Sequence, residues 1–276
     1  MPVKTDSPTM PRLILCADDF GLSPEISRTI AELAAEGRIN ATSCMAVCPG
    51  WARDSALLRS LPATIEIGLH LVLTGEPPLT PMPRLAPEGR LPTINQLQRD
   101  ASAKQLPLDE VAAEIAAQFD RFITIHGGPP AFVDGHQHSH VLPGIREIML
   151  AETARRAPGA WLRNCEDSLS AMLSRPFRGK ALGNAWHSRG LRQSAAAHGL
   201  SCNDSFGGHY DFAGDYGLLF PRFLRRPGPI HLVMCHPGAG DLAGDTIAAG
   251  RKREAAALRS MKMRDIAASH GLEFRS

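Results

Sequence analysis

Leu13-Ile14-Leu15-Cys16-Ala17-Asp18-Asp19-Phe20-Gly21-Leu22-Ser23-Pro24 begins with five apolar residues, and two adjacent acids follow at once. Leu13 to Ala17 reads as a buried strand, and Ser23 followed by Pro24 reads as an N-cap with proline at the first helical position. Strand, turn and helix start in immediate succession make a β/α unit. In sheets of parallel strands, ligands bind outside the carboxyl ends of the strands. Two carboxylates placed there carry a desolvation cost that packing does not offset, so the position suits a metal ion or a general base.

The alternation continues downstream. Glu25 to Glu36 has helical spacing through Ile26, Ile30 and Leu33, with Gly37 as its stop. Ala41 to Val47 and Glu66 to Leu73 read as strands, with Ser55 to Leu61 a short helix between them. Leu108 to Thr124 reads as a helix, Ala131 to Asp134 as a short strand, Pro143 to Arg156 as a helix and Ala160 to Arg163 as a strand candidate. Ile230 to Cys235 is a buried strand, Arg251 to His270 a final helix, and Leu272 to Phe274 a candidate last strand. Gly75 to Pro107, rich in proline, reads as a long excursion bordering the site, and Asp167 to Gly217 gives no clear pattern. This alternation predicts an α/β protein, a parallel sheet wrapped by helices.

With 276 residues, 43% of them hydrophobic, the chain can bury one sizeable core, so a single domain over 11–276 is expected behind a flexible N-terminus of residues 1–10. A net charge of +2, without a long basic block, argues against nucleic acid as partner. The six cysteines lack the close paired spacing of a zinc ribbon or a disulfide scaffold, which predicts reduced thiols and a cytoplasmic protein. Neither a signal-peptide stretch nor a membrane-length apolar window is present in the sequence.

Histidines follow three further strand-like runs: Gly68-Leu69-His70-Leu71, Asp134-Gly135-His136-Gln137-His138-Ser139-His140, and Cys235-His236-Pro237-Gly238. Alone, His70 reads as a hydrogen-bonded core histidine and Asp18-Asp19 as a helix-capping turn. His136, His138 and His140 would share one face on an extended segment and diverge on a tight turn. Taken together, the groups suit metal-assisted hydrolysis of an unreactive bond. One carboxylate and two imidazoles hold a divalent ion, a second carboxylate removes a proton from water, and a histidine donates to the leaving amine.

Ala17-Asp18-Asp19-Phe20-Gly21-Leu22-Ser23, Gly68-Leu69-His70-Leu71-Val72-Leu73, Asp134-Gly135-His136-Gln137-His138 and Cys235-His236-Pro237, in that order across nearly the whole chain, resemble the YdjC-type carbohydrate deacetylases. That family includes chitooligosaccharide deacetylases and a hopanoid-biosynthesis deacetylase. The resemblance implies a distorted, incomplete (β/α) barrel with parallel strands and a Pro-rich inserted loop. It also implies Asp19, His70 and His136 as ligands of one divalent metal ion, Asp18 as general base, and His236 as the acid. It places His138 near the pocket and Arg163 where it orients the substrate or a carboxylate, an ordinary ion pair being the plain alternative. Trp51, beyond Cys48-Pro49-Gly50, reads as a sugar-stacking platform or a packed loop aromatic. The imidazole pair favours a transition ion such as Zn, while the family also implies Mg.

The leading expectation is removal of acetate from an N-acetylated amino sugar, in an oligosaccharide or linked to lipid. Gly135, Gln137 and Ser139 depart from the Asp-Ser-His-His-His-Val-His pattern of the chitooligosaccharide branch, which bears on substrate identity. The alternatives are a metal-dependent amidohydrolase acting on a non-sugar acylamine and a non-catalytic carbohydrate-binding protein. Gly75 to Pro107 is the expected seat of specificity or of a homodimer contact.

Overall fold

β1 (Arg12–Phe20) is apolar over its first half because it lies between two other strands with both faces covered: Leu13 to Ala17 are at most 1% exposed. The computed structural model describes residues 10–276, so the expected loose N-terminus lies, Met10 apart, outside the described residues. Ser23 caps α1 (Pro24–Ala35) by accepting from the Ile26 N–H, as its sequence predicts. β2 (Ala41–Cys44) stops three residues short of the expected strand because the chain turns into α2 (Trp51–Asp54) and a 3-10 turn (Ser55–Ser60). β3 (Glu66–Leu71) then carries His70.

The Pro-rich excursion is more ordered than its composition suggests. It contains α3 (Ile94–Ser102), started by a Thr93–Gln96 capping box. Buried acids of α4 (Leu108–His126) bind its backbone: Glu114 accepts from the N–H groups of Leu79 and Thr80, and Glu110 from those of Arg84 and Leu85. Prolines in place of regular structure leave N–H groups without ladder partners, and these carboxylates satisfy them. β4 (Phe132–Gly135) follows, then α5 (Ile145–Arg156) and β5 (Trp161–Leu162).

The ambiguous stretch resolves into α6 (Leu169–Ser174), α7 (Arg178–Ser188), α8 (Leu191–Ala197), β6 (Ser201–Cys202), β7 (Ser205–Gly207) and the start of α9 (Tyr216–Phe223). Most of these pieces are too short to print a periodicity. After β8 (Ile230–Cys235), the expected last helix is two: α10 (Ala248–Ser260) and α11 (Met263–Ser269). Extended backbone at Met261 breaks it and turns Met261 and Met263 into the core. The candidate strand at Leu272 to Phe274 is reduced to one bridge, Arg12 to Glu273.

All the strands pair in parallel, in the order β6-β5-β4-β3-β2-β1-β8-β7. The two ends of that order are consecutive in sequence. Residues 201–207 therefore form one continuous segment, bent between its halves, whose first half pairs with β5 and whose second half pairs with β8. Asn203 fills the break between the halves: its amide donates to Asn164 O and Ser205 O and accepts from Asn164 N–H. The sheet thus curls into a distorted, incomplete (β/α) barrel, part of whose closure is a side chain rather than a ladder.

The carboxyl ends of the strands gather at one mouth. β1 bulges there, since Ala17 pairs with Thr42 and Phe20 with Cys44, leaving Asp18 and Asp19 opposite Ser43 alone. Consecutive side chains in a strand point to opposite faces. The bulge, with Asp19 at a left-handed φ of 69°, lets both acids serve the same mouth.

Candidate metal and catalytic centre

Asp19 is 1% exposed and is the hub of the mouth. Its Oδ1 lies 3.1 Å from His136 Nδ1 and 3.4 Å from His70 Nε2, while its Oδ2 accepts from Arg251 Nη2 at 2.8 Å. Burial alone would raise the Asp19 carboxyl, but Arg251 and the two histidines outweigh it and hold the group well below the usual carboxylate range.

His70 and Asp134 are register partners on β3 and β4, which brings His70 Nδ1 to 2.7 Å from Asp134 Oδ1; Ser43 donates to the same oxygen. Burial would lower the His70 pKa, yet Asp134 and then Asp19 raise it to about 10. His70 is therefore an imidazolium held between two acids when no other cation is present.

His136, Asp19 and His70 each offer a ligand atom, and these atoms lie within 4.8 Å of one another. The donor set fits a divalent ion. Asp134 occupies Nδ1 of His70 and so turns Nε2 toward the other two donors, the outer-shell arrangement that metal-binding histidines favour. A second group, Cys16, Asp18 and Asp134, has similar spacing but already encloses a cation: the Arg163 guanidinium.

Arg163 is fully buried. Nη1 and Nη2 each donate to Asp18 at 2.6 Å, and Nη2 lies 2.5 Å from Asp134 Oδ2. It orients a carboxylate, one of the roles its sequence position suggests; it does not touch the cleft, so the substrate-binding expectation is corrected. Trp51 is corrected too. It is 0% exposed, stacked on Phe122 at 5.5 Å and packed edge-on to Phe20, because the turn after Pro49 drives it inward.

The three alternating histidines diverge, since Gln137 and His138 both take left-handed backbone inside a 3-10 turn (His136–Val141). His136 reaches Asp19, and His138 faces Cys165, His209 and Phe206 in the cleft wall. His140 is structural: burial lowers it to about 4, and its neutral Nε2–H donates to Arg163 O.

His236, just beyond β8, has Nε2 3.8 Å from Asp18 Oδ2. Burial pushes it down to about 4 against the pull of Asp18 and Asp19, so it stands neutral near pH 7. Its backbone N–H donates to Glu254, which also accepts from Tyr210. Burial raises Glu254 to about 7.

Arg251 and Glu254, three residues apart on α10, thus hold the Asp19 and the His236 sides of the centre. Sequence reasoning gave neither a role, nor Asp134, Ser43 or Tyr210. Asp134 had a visible signal, an acid ending a buried strand beside a histidine. A helix that reads as amphipathic shows only that Arg251 and Glu254 are polar, not that the barrel mouth is their neighbour.

Above these groups lies a cleft of about 780 Å³. Its walls include Glu76, Arg90 and Asn95 from the Pro-rich excursion, and Asn184 and His187 from α7.

Uptake of zinc at Asp19, His70 and His136 is expected to release about one proton between pH 7 and 9, because His70 must give up its Nε2 proton. Apparent affinity should then rise about tenfold per pH unit in that window. Calorimetric titration in two buffers of different ionisation enthalpy measures it; a buffer-independent heat would contradict the charged His70.

A family model described as YdjC-like protein matches residues 12–269. The chitooligosaccharide deacetylase of Enterobacter sp. (strain 638) is 38% identical over 144 residues, 52% of this chain and 56% of that protein. That of Serratia marcescens is 41% identical over 152 residues, 55% of this chain and 58% of that protein. The matches span a little over half the length of these relatives. A crystal structure from Enterococcus faecalis V583, described as a proposed cellobiose-phosphate cleavage protein, superposes with a TM-score of 0.75 over 97% of this chain and 98% of that chain at 21% identity. At that identity the likeness speaks for the fold.

Proposed function

This chain belongs to the YdjC-like family, and we propose that it is a metal-dependent N-deacetylase that removes acetate from an N-acetylated amino sugar. The observation that carries the reading is the meeting of Asp19, His70 and His136 at the floor of the cleft, with a second carboxylate, Asp18, beside them.

Asp19, His70 and His136 would hold one divalent ion, Zn or Mg, and two imidazoles in the set favour the transition ion. When bound, such an ion polarises the acetyl carbonyl and makes water acidic enough to attack it near neutral pH. Asp18 takes the proton of the attacking water, its oxygens aimed by the Arg163 fork. His236, neutral and 3.8 Å away, accepts that proton and passes it to the departing nitrogen. A cleft of about 780 Å³ has the volume usual for binding pockets and room for more than one sugar ring. Among the described residues no helix is long and apolar enough to cross a membrane.

The test is acetate release from diacetylchitobiose, free N-acetylglucosamine, an N-acetylated glycolipid and a non-sugar N-acetylamine, each with chelator and with added Zn or Mg. Metal-dependent release from at least one sugar is expected. Release only from non-sugar acylamines would move the assignment to an amidohydrolase, and binding of sugars without release would make the chain a carbohydrate-binding protein.

A further inference from the structure

The two oxygens of Asp19 live in different surroundings. Oδ1 faces both imidazoles, whereas Oδ2 accepts from Arg251 Nη2 at 2.8 Å. The guanidinium is itself clamped. Its Nε donates to Asp245 Oδ2 at 2.8 Å, its Nη1 lies 3.4 Å from His236 O, and its side chain is 4% exposed. The Arg251 carbonyl accepts from Gly238 N–H, and a β-carbon at Gly238 would come within 3.2 Å of Arg251 Cδ. Left-handed backbone at Asp19 adds to the constraint, since a residue kept there at φ 69° persists only where its surroundings over-determine it.

We propose that Arg251 is a positioning residue that keeps Oδ2 occupied, so that Asp19 presents a single oxygen to the divalent ion. This rests on the metal centre argued above. A carboxylate with both oxygens free can chelate a cation through both, and a hydrolytic site needs open positions for water and substrate. Arg251 guards against that filling while its positive charge opposes the ion. The two effects give a signature of opposite signs: without Arg251 the ion binds more tightly and the chemistry slows. Loss of a guanidinium that merely braces α10 against β1 would also tighten binding of the ion through lost charge, but would leave its coordination number unchanged.

The experiment compares wild type with Arg251→Met, Arg251→Lys and Asp245→Asn. Zinc dissociation constants come from competition with a chromophoric chelator, and the visible spectrum of the cobalt(II)-loaded protein reports coordination number. Arg251→Met is expected to bind zinc about tenfold more tightly or better, from loss of like-charge repulsion at short range. Its cobalt absorption should weaken, as it does when coordination number rises, and kcat should fall about tenfold or more with KM little changed. Arg251→Lys should restore much of the wild-type behaviour. Asp245→Asn, which leaves the guanidinium on Asp19 but strips its counter-charge, should weaken zinc binding by a smaller factor, the reverse of Arg251→Met, and it stands in if Arg251→Met does not fold. Zinc affinity that is weaker or unchanged in Arg251→Met, tighter zinc binding in Asp245→Asn, or a cobalt spectrum of Arg251→Met identical to wild type overturns the proposal. Should wild type release acetate from no sugar, the proposed reaction fails, while the zinc and cobalt measurements still decide the role of Arg251.

Discussion

His70→Ala is expected to abolish stoichiometric zinc binding and to cut acetate release by about a thousandfold or more, since a Lewis acid is worth several kcal/mol and each 1.36 kcal/mol is about tenfold in rate. The side chain is 2% exposed and lies between Asp19 and Asp134, so its removal takes an imidazole out of the middle of a buried cluster. His138→Ala, altering a histidine of the same cleft that faces Cys165 and His209, should keep zinc stoichiometry. Equal zinc affinity in His70→Ala and wild type would end the ligand assignment. A pH profile separates loss of a ligand from loss of fold. Because folding raises His70 from 6.5 to about 10, its contribution to the metal-free protein is fully present below the unfolded value and fades as pH rises through the folded one. The melting temperature of metal-free wild type should therefore fall between pH 7 and 10, and that of His70→Ala should fall less.

How far the sequence discloses this centre depends on how local each signal is. β1, the α1 cap and the paired acids are written within twelve consecutive residues, and the structure follows them closely. His70 and His136 are legible because each follows an apolar strand run, and parallel strands place such residues at one mouth. For Trp51 and Arg163 the sequence leaves two readings open, and the structure takes the packed one for a shared reason. A tryptophan beside Pro-Gly fits a stacking platform or a packed aromatic, and an arginine after a strand fits substrate or a carboxylate; both side chains end up inside, where Phe122 in one case and two carboxylates in the other receive them. Burial of that kind is decided by partners more than seventy residues away for Trp51 and, for Asp18 and Arg163, 145 residues away. The α3 capping box was local and readable, yet the surrounding prolines dominated the stretch. The bulge that turns Asp18 and Asp19 the same way leaves no mark in composition, since it is a property of pairing with β2.

Arg163→Met carries the largest expected cost in stability. The guanidinium is fully buried and binds both oxygens of Asp18 and one of Asp134, two acids that are themselves at most 2% exposed. Asp134 would be raised by burial alone, and Arg163 followed by His70 holds it well below the carboxylate range. Such a depressed acid lends stability above its unfolded value that is lost as pH falls through the folded one. Removing the cation strands two buried negative charges beside each other, a loss of about 3 to 5 kcal/mol, against a total near 5 to 15 kcal/mol for a folded protein. The double variant Arg163→Met with Asp18→Asn should recover part of that loss, because it removes one of the stranded charges along with the missing partner. Denaturant unfolding of the four proteins at pH 7 measures the coupling. If the two substitutions prove additive, Arg163 and Asp18 do not act as a pair, and the aim of the proposed base must come from elsewhere. If they couple strongly, the acids of β1 are tolerable inside the barrel only because β5 delivers a cation to them, and the stability of the fold and the orientation of its proton acceptor depend on the same side chain.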